Sequence, residues 1–177
     1  MVKKMFKKMI SKKNKGTSHV KIKTKKEIEK IINSLKKQGK VVVTTNGNFD
    51  ILHSGHVASL EIAKSKGDIL VVALNSDKSV KINKSKERPI ISQKERARTI
   101  AALEAVDFVV MFDEPDPVKI LDFIKPHFHV KSKLRYKGIE KDIVEKNGGK
   151  IVLIDHIGKF STTNTIKKIL SVYGNKK

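Results

Sequence analysis

The sequence predicts an α/β protein built on an open parallel sheet with helices on both faces. Five short apolar runs recur along the chain, at 41–45, 69–74, 107–112, 128–131 and 151–154. The segments between them carry apolar residues at helical spacing or open on helix-start signals. The central runs are apolar throughout rather than alternating, as strands buried on both faces require.

Taken in order, the first helix opens at Thr24, which forms a capping box with Glu27; Ile28, Ile31, Ile32 and Leu35 make one apolar face, and Gly39 ends it. The β-branched run Val41-Val42-Val43-Thr44-Thr45 is the first strand. The turn Asn46-Gly47-Asn48 and Phe49-Asp50-Ile51-Leu52 lead to a helix over roughly 55–66, closed by Gly67-Asp68. Ile69 to Leu74 is the second strand. A helix near 92–105 precedes the strand 107–112, and Pro115-Asp116-Pro117 opens a helix ending near Lys125. The strand 128–131, a helix near 140–147 stopped by Gly148-Gly149, the strand 151–154 and a helix over 162–172 complete the count. The expected architecture is a Rossmann-like sheet of five parallel strands. In such sheets ligands bind outside the carboxyl ends of the strands, where the strand order reverses.

The 177 residues suit one domain plus a tail, with 1–22 a basic extension and 23–177 the folded unit. There is no Cys, which excludes disulfides and thiolate metal sites. No apolar run approaches the ~20 residues of a membrane helix. The start, Met1 to Lys8, lacks the apolar core of a secretory signal, so the expected location is the cytoplasm. The net charge of +21 is concentrated early: residues 1–40 hold 15 Lys against 2 Glu. Within the tail, Val2, Met5, Phe6, Met9 and Ile10 follow helical spacing with lysines opposite. A frayed terminus, a docked helix or contact with an anionic membrane would each suit that pattern, the last least well. A charge-driven nucleic-acid binder is the non-enzyme rival. Seven Phe, two Tyr and no Trp offer it no visible stacking platform.

The segment after the first strand carries His53-Ser54-Gly55-His56 at a helix entrance. Free N–H groups and the positive dipole end there suit phosphate. Gly55 allows close approach, and two imidazoles three positions apart can donate to the same phosphate oxygens. The pair could also ligate a metal or serve only as structure. No nearby third ligand completes a zinc set, so phosphate binding is the expected role and no protein-held metal is expected.

Asn46 through His56 resembles the first motif of the cytidylyltransferase-like nucleotidyltransferases, and Ser161-Thr162-Thr163-Asn164 resembles their second, a Ser/Thr cluster opening the last helix. Within that superfamily, residues 21–170 are most similar to the heptose 1-phosphate adenylyltransferase domain of the bifunctional ADP-heptose synthesis enzymes. The similarity rests further on Leu74-Asn75-Ser76-Asp77, Arg88-Pro89-Ile90, Ala102 to Asp107, His129-Val130-Lys131 and Gly148-Gly149-Lys150.

The resemblance implies a transferase that joins a nucleoside triphosphate, ATP first, to a sugar 1-phosphate such as heptose 1-phosphate, releasing pyrophosphate. A CTP-dependent enzyme acting on glycerol phosphate, phosphocholine or phosphoethanolamine is the alternative, and a nucleotide or nucleic-acid binder without turnover a further one. It assigns catalysis to His53, His56 and a lysine after the second strand, Lys84, with Lys81 and Lys86 competing. It assigns nucleotide binding to Asn46, Gly47, Phe49, Asp50, Gly55, Asn75, Asp77, Arg88, Ser161, Thr162 and Thr163. Asp50 and Asp77 hold the site or a Mg²⁺ ion, which is expected to ride on the nucleotide. Arg96 and Asp107 match family positions or are simply structural charges. A homodimer is implied as well. The chain departs from the heptose enzymes after Lys131, where their Gly-Gly-Asp-Tyr becomes Ser132-Lys133-Leu134-Arg135-Tyr136. Lys131, Lys133 and Arg135 are therefore the acceptor-side candidates. His156 to Phe160 also lacks the Arg that glycerol-phosphate enzymes carry before the Ser/Thr cluster.

Overall fold

The computed structural model describes residues 17–155 and 161–174. The amphipathic segment 2–10 and the stretch His156–Phe160 lie outside the described residues, and the Arg135 side chain is likewise not described. The order of elements is α1 (Thr17–Lys21), β1 (Ile22–Lys23), α2 (Lys25–Lys37), β2 (Val42–Gly47), α3 (Ser54–Lys64), β3 (Ile69–Asn75), α4 (Asp77–Asn83), α5 (Gln93–Ala101), β4 (Phe108–Phe112), α6 (Val118–Ile124), β5 (Phe128–Ser132), a 3₁₀ turn (Lys133–Arg135), α7 (Lys141–Lys146), β6 (Lys150–Ile154) and α8 (Thr162–Tyr173).

The sheet is parallel throughout, in the order β1-β4-β3-β2-β5-β6. It has six strands rather than the five expected. The additional one is a two-residue edge strand, Ile22 and Lys23 pairing with Val109 and Val110. Two residues are too few to carry a periodicity signal. Lys21 reinforces this edge by donating from Nζ to the Leu103 carbonyl at 3.0 Å.

The strands are apolar throughout because both faces are covered. On one face Val43, Leu70, Val72, Leu74 and Val109 pack with Leu60 and Ala63 of α3 and with Ala97, Ile100 and Ala101 of α5. On the other, Val42, Val71, Ala73 and Val110 pack with Ile28 and Ile32 of α2 and with Ile120 and Ile124 of α6. The alternation along β3 thus divides one continuous apolar run between two cores. The capping box at Thr24 and Glu27 is formed in both directions. No described helix is long and apolar enough to cross a membrane.

Strand order reverses between β2 and β5, and the two strands separate there. Pairing of β2 with β3 runs through Gly47↔Leu74, whereas its pairing with β5 ends at Thr44↔His129. Side chains continue where the backbone ladder stops. Thr45 Oγ1 donates to the Val130 carbonyl at 2.9 Å, and Lys131 Nζ donates to Asn46 Oδ1 at 2.8 Å. A crevice therefore opens at the carboxyl ends of these two strands.

Below it, His129 is fully buried, with Nδ1 2.8 Å from Thr44 Oγ1. Burial, and secondarily the charge of Lys131, push its pKa from 6.5 down to about 3. In the unfolded chain the imidazole regains its ordinary value, so between the two values the unfolded state binds the extra proton. The stability due to this group is complete above about pH 6.5 and is lost as pH falls toward about 3. His129→Asn retains a partner for Thr44 and is expected to flatten the melting-temperature profile between about pH 6.5 and 5, above the carboxylate range. An unchanged slope over that interval would contradict a neutral buried His129.

Candidate active site

The crevice is a cavity of about 470 Å³. Its walls come from the end of β2 and the loop after it (Thr45 to Asp50), the entrance of α3 (His53, Gly55, His56, Ser59), and the end of β5 (Val130, Lys131, Ser132). The region after β3 supplies Asn75, Asn83, Lys84 and Arg88, and the entrance of α8 supplies Thr162 and Thr163. Both motifs singled out in the sequence therefore meet in one cavity, although more than 100 residues separate them.

The first wall is held in an unusual backbone shape. Phe49 and Ile51 have φ of 47° and 50°, a left-handed conformation that costs non-glycine residues of order 1–3 kcal/mol each. Asp50, between them, is 1% exposed and explains how that shape persists. Its carboxylate accepts from the N–H groups of Ile90 and Ile91 at 3.0 Å each, and from Arg88 Nε at 2.8 Å and Nη2 at 2.6 Å. Burial raises its pKa, but the two N–H donors and the Arg88 guanidinium together outweigh that and hold it below the usual value. The Asp50 carbonyl accepts from Thr162 Oγ1, which fastens α8 to the same loop. Gly47 packs closely on Phe49: a Cβ there would lie 3.0 Å from the ring, which would have to give way slightly.

His53 stands at the N-cap of α3 without capping it through its side chain. Its ring stacks on His56 with centroids 3.8 Å apart and planes 20° from parallel, and Phe49 backs His56 at 5.3 Å. Two imidazoles are thus presented together at a helix N-terminus of eleven residues, where unsatisfied N–H groups favour an anion. Thr162 and Thr163 do the same at the start of α8, whose N-cap Ser161 accepts from the Asn164 N–H.

Of the three competing lysines, Lys84 lies on the wall and Lys81 and Lys86 do not. Asn46, Gly47, Phe49, Asp50, Gly55, Asn75, Arg88 and Lys131 also line it. Three candidates do not reach it. Asp77 is turned to Arg96, Oδ1 to Nη2 at 2.7 Å. Lys133 pairs with Asp155 at 2.8 Å on the exterior, and Ser161 is spent on its cap. Asp107 accepts from Lys64 Nζ and from the Leu70 N–H, so it ties β3 to the start of β4.

Arg96 is a structural hub. It is 2% exposed, and besides Asp77 it donates to the carbonyls of Asn48 (2.5 Å), Asn75 (2.9 Å) and Ile91 (2.9 Å). Sequence reasoning missed several polar residues on the cavity wall, among them Asn83, Asp116, Ser132, Lys137 and Glu140. Glu140 directly precedes α7 and reads as an ordinary helix-start acid, so no local pattern distinguishes it. Among the described residues no group of three or more His, Asp or Glu could hold a metal ion. Asp50 and Asp77 are committed to arginines and Glu140 to Lys131, so these carboxylates are not free to hold a cation.

The sequence model of the cytidylyltransferase-like family matches residues 44–173. The bifunctional protein HldE of Geobacter metallireducens is 46% identical over 159 residues, covering 89% of this chain and 32% of that protein. HldE of Aliarcobacter butzleri is 47% identical over 157 residues, covering 88% and 32%. The chain thus spans about a third of the length of these relatives. The crystal structure of a lipopolysaccharide core biosynthesis protein from Thermoplasma volcanium superposes with a TM-score of 0.59 at 32% identity, covering 67% of this chain and 99% of that one. A pantoate-beta-alanine ligase from Francisella tularensis shares the fold, with a TM-score of 0.57 at 18% identity over 86% of this chain and 77% of that one.

Arg96→Leu would leave Asp77 and three carbonyls without their buried partner, and is expected to cost about 3–5 kcal/mol in denaturant unfolding. The exposed Arg98→Ala on the same helix should stay within about 0.5 kcal/mol of the parent. Equal midpoints for the two variants would remove Arg96 from this role.

Proposed function

The chain belongs to the cytidylyltransferase-like family and is a nucleotidyltransferase; on that premise we propose that it joins ATP to a sugar 1-phosphate, with heptose 1-phosphate the first candidate, and releases pyrophosphate. The observation that carries this reading is the meeting of two helix N-termini, with His53 and His56 on one and Thr162 and Thr163 on the other, around a single cavity. A triphosphate needs donors along its length, and two such termini supply them from opposite sides. The choice of ATP and of a sugar phosphate is supported by the likeness to HldE over nearly the whole of this chain.

In this mechanism an oxygen of the acceptor phosphate attacks the α-phosphorus in line. A new P–O bond forms as the bond to the β-phosphate bridging oxygen breaks, and that oxygen leaves with pyrophosphate. The nucleophile already carries negative charge near neutral pH, so no strong base is needed. Catalysis then consists of holding the two reactants and stabilising charge on the non-bridging oxygens. His53 and His56 donate to those oxygens. Lys84, exposed at the end of α4, supplies a cation that can settle on the departing phosphates. Arg88, anchored by Asp50, fixes the loop over the nucleotide. Mg²⁺ is expected to arrive on the triphosphate, because Asp50, Asp77 and Glu140 are already paired.

Pyrophosphate release should be measured with Mg²⁺ for ATP and CTP, each crossed with heptose 1-phosphate, glycerol phosphate, phosphocholine and phosphoethanolamine. Turnover is expected with ATP and the sugar phosphate. Turnover confined to CTP and an alcohol phosphate would reassign the enzyme to the cytidylyltransferase alternative. His53→Ala and His56→Ala should each lower kcat by roughly a hundredfold to a thousandfold while remaining folded. Near-normal kcat in either variant would sink the assignment of that histidine.

A further inference from the structure

We propose that Lys131, Glu140 and Ser132 form a hydroxyl-reading subsite for the acceptor, with Glu140 its specificity-determining residue; this rests on the sugar-phosphate reading above. Lys131 Nζ lies 2.8 Å from Glu140 Oε1 and 2.8 Å from Asn46 Oδ1. The Lys131 and Glu140 side chains are only 15% and 6% exposed, yet both line the cavity. Their charges cancel locally, so the pair offers little net attraction to a phosphate. What it offers is hydrogen-bonding capacity. An ammonium has three donors, two of which are used here, and a carboxylate accepts about four bonds. A hydroxyl both donates and accepts, so it can complete Glu140 and Lys131 together. A phosphate oxygen or a quaternary ammonium gains little from a pair whose charges cancel, and a quaternary ammonium has no N–H to donate to Glu140.

A further observation directs this pair toward a ligand. Glu140, which precedes α7 in helical backbone conformation, turns its side chain to Lys131 and the cavity. Beside it, Ser132 Oγ is buried, has no hydrogen-bond partner among the described residues, and lines the same cavity. A buried hydroxyl left unpaired is costly unless something arrives to pair it.

The test pairs a change in the protein with a change in the substrate. Pyrophosphate release is followed for the full chain, Glu140→Gln and Ser132→Ala, with ATP and a sugar 1-phosphate or its singly deoxygenated analogues. ATP affinity is measured separately by equilibrium binding. For the parent enzyme, one deoxygenated analogue should lose about tenfold or more in kcat/KM, the scale of a hydrogen bond to a charged group. In Glu140→Gln that discrimination should shrink to roughly twofold or less, with ATP affinity unchanged. Ser132→Ala, a small deletion that keeps the ion pair, should lose discrimination at a neighbouring hydroxyl and serves if Glu140→Gln does not fold. A purely structural ion pair would change stability but not the preference among analogues. If the parent turns over and both variants keep its preference, the subsite is wrong and the transferase reading stands. If the parent turns over only alcohol phosphates, or none of the acceptors, the sugar-phosphate reading falls and takes the subsite with it.

Discussion

The site depends on one buried guanidinium. Arg96 sits at 2% exposure under the cavity and binds four acceptors contributed by four different segments. These are the loop after β2, the end of β3, the start of α4 and the stretch before α5. A charge so buried cannot be left unpaired, and the acceptors cannot find other donors without moving. The positions of Asn48, Asn75 and Ile91 are therefore set jointly rather than one loop at a time. Asp50 works from the other side of the same loop. It takes the N–H groups of Ile90 and Ile91 while Arg96 takes the Ile91 carbonyl, so the segment is clamped at both its donors and its acceptor. That clamp offsets the left-handed backbone at Phe49 and Ile51, and through Thr162 it extends to α8.

A second constraint is topological. Because β2 has β3 on one side and β5 on the other, the connections leaving β2 and β5 diverge to opposite faces. The β2–β5 ladder stops at Thr44↔His129, and the bonds beyond it come from side chains. The residues that close this gap, Asn46 and Lys131, are the ones that face the cavity. Fold and site share atoms here. His129 immediately below is fully buried, and that burial favours its neutral imidazole.

Much of this was legible in the sequence, for local reasons. Five strands declared themselves as β-branched or apolar runs, Thr24 and Glu27 announced a helix start, and the two motifs stood at helix entrances. What was not legible depended on distant partners. The edge strand Ile22–Lys23 exists only because Val109 and Val110 are there to pair with it. Helix α4 (Asp77–Asn83) begins on a Ser76 cap that is one polar residue among many. Asp77 read as a ligand for nucleotide or metal, but Arg96, 19 residues on, claims it. Lys133 read as an acceptor-side cation, and Asp155 draws it outward. A single chain lists its charges without saying which will neutralise which, and that pairing decides function.

That pairing also bears on the proposed reaction, in which a cationic enzyme handles two anionic substrates. If every lysine near the cavity were free, either substrate could settle in either half, and the acceptor phosphate would compete for the triphosphate seat. Part of that charge is spent within the protein. Lys131 on the cavity wall is neutralised by Glu140, whereas Lys84 and Lys137, also on the wall, make no ion pair among the described residues. Uncompensated charge is thereby left at Lys84 and Lys137 and not at Lys131. Under the proposed reading, the part of the acceptor that meets Lys131 and Glu140 encounters hydrogen-bonding groups rather than net charge. Orientation follows from where the positive charge has been cancelled as much as from where it remains.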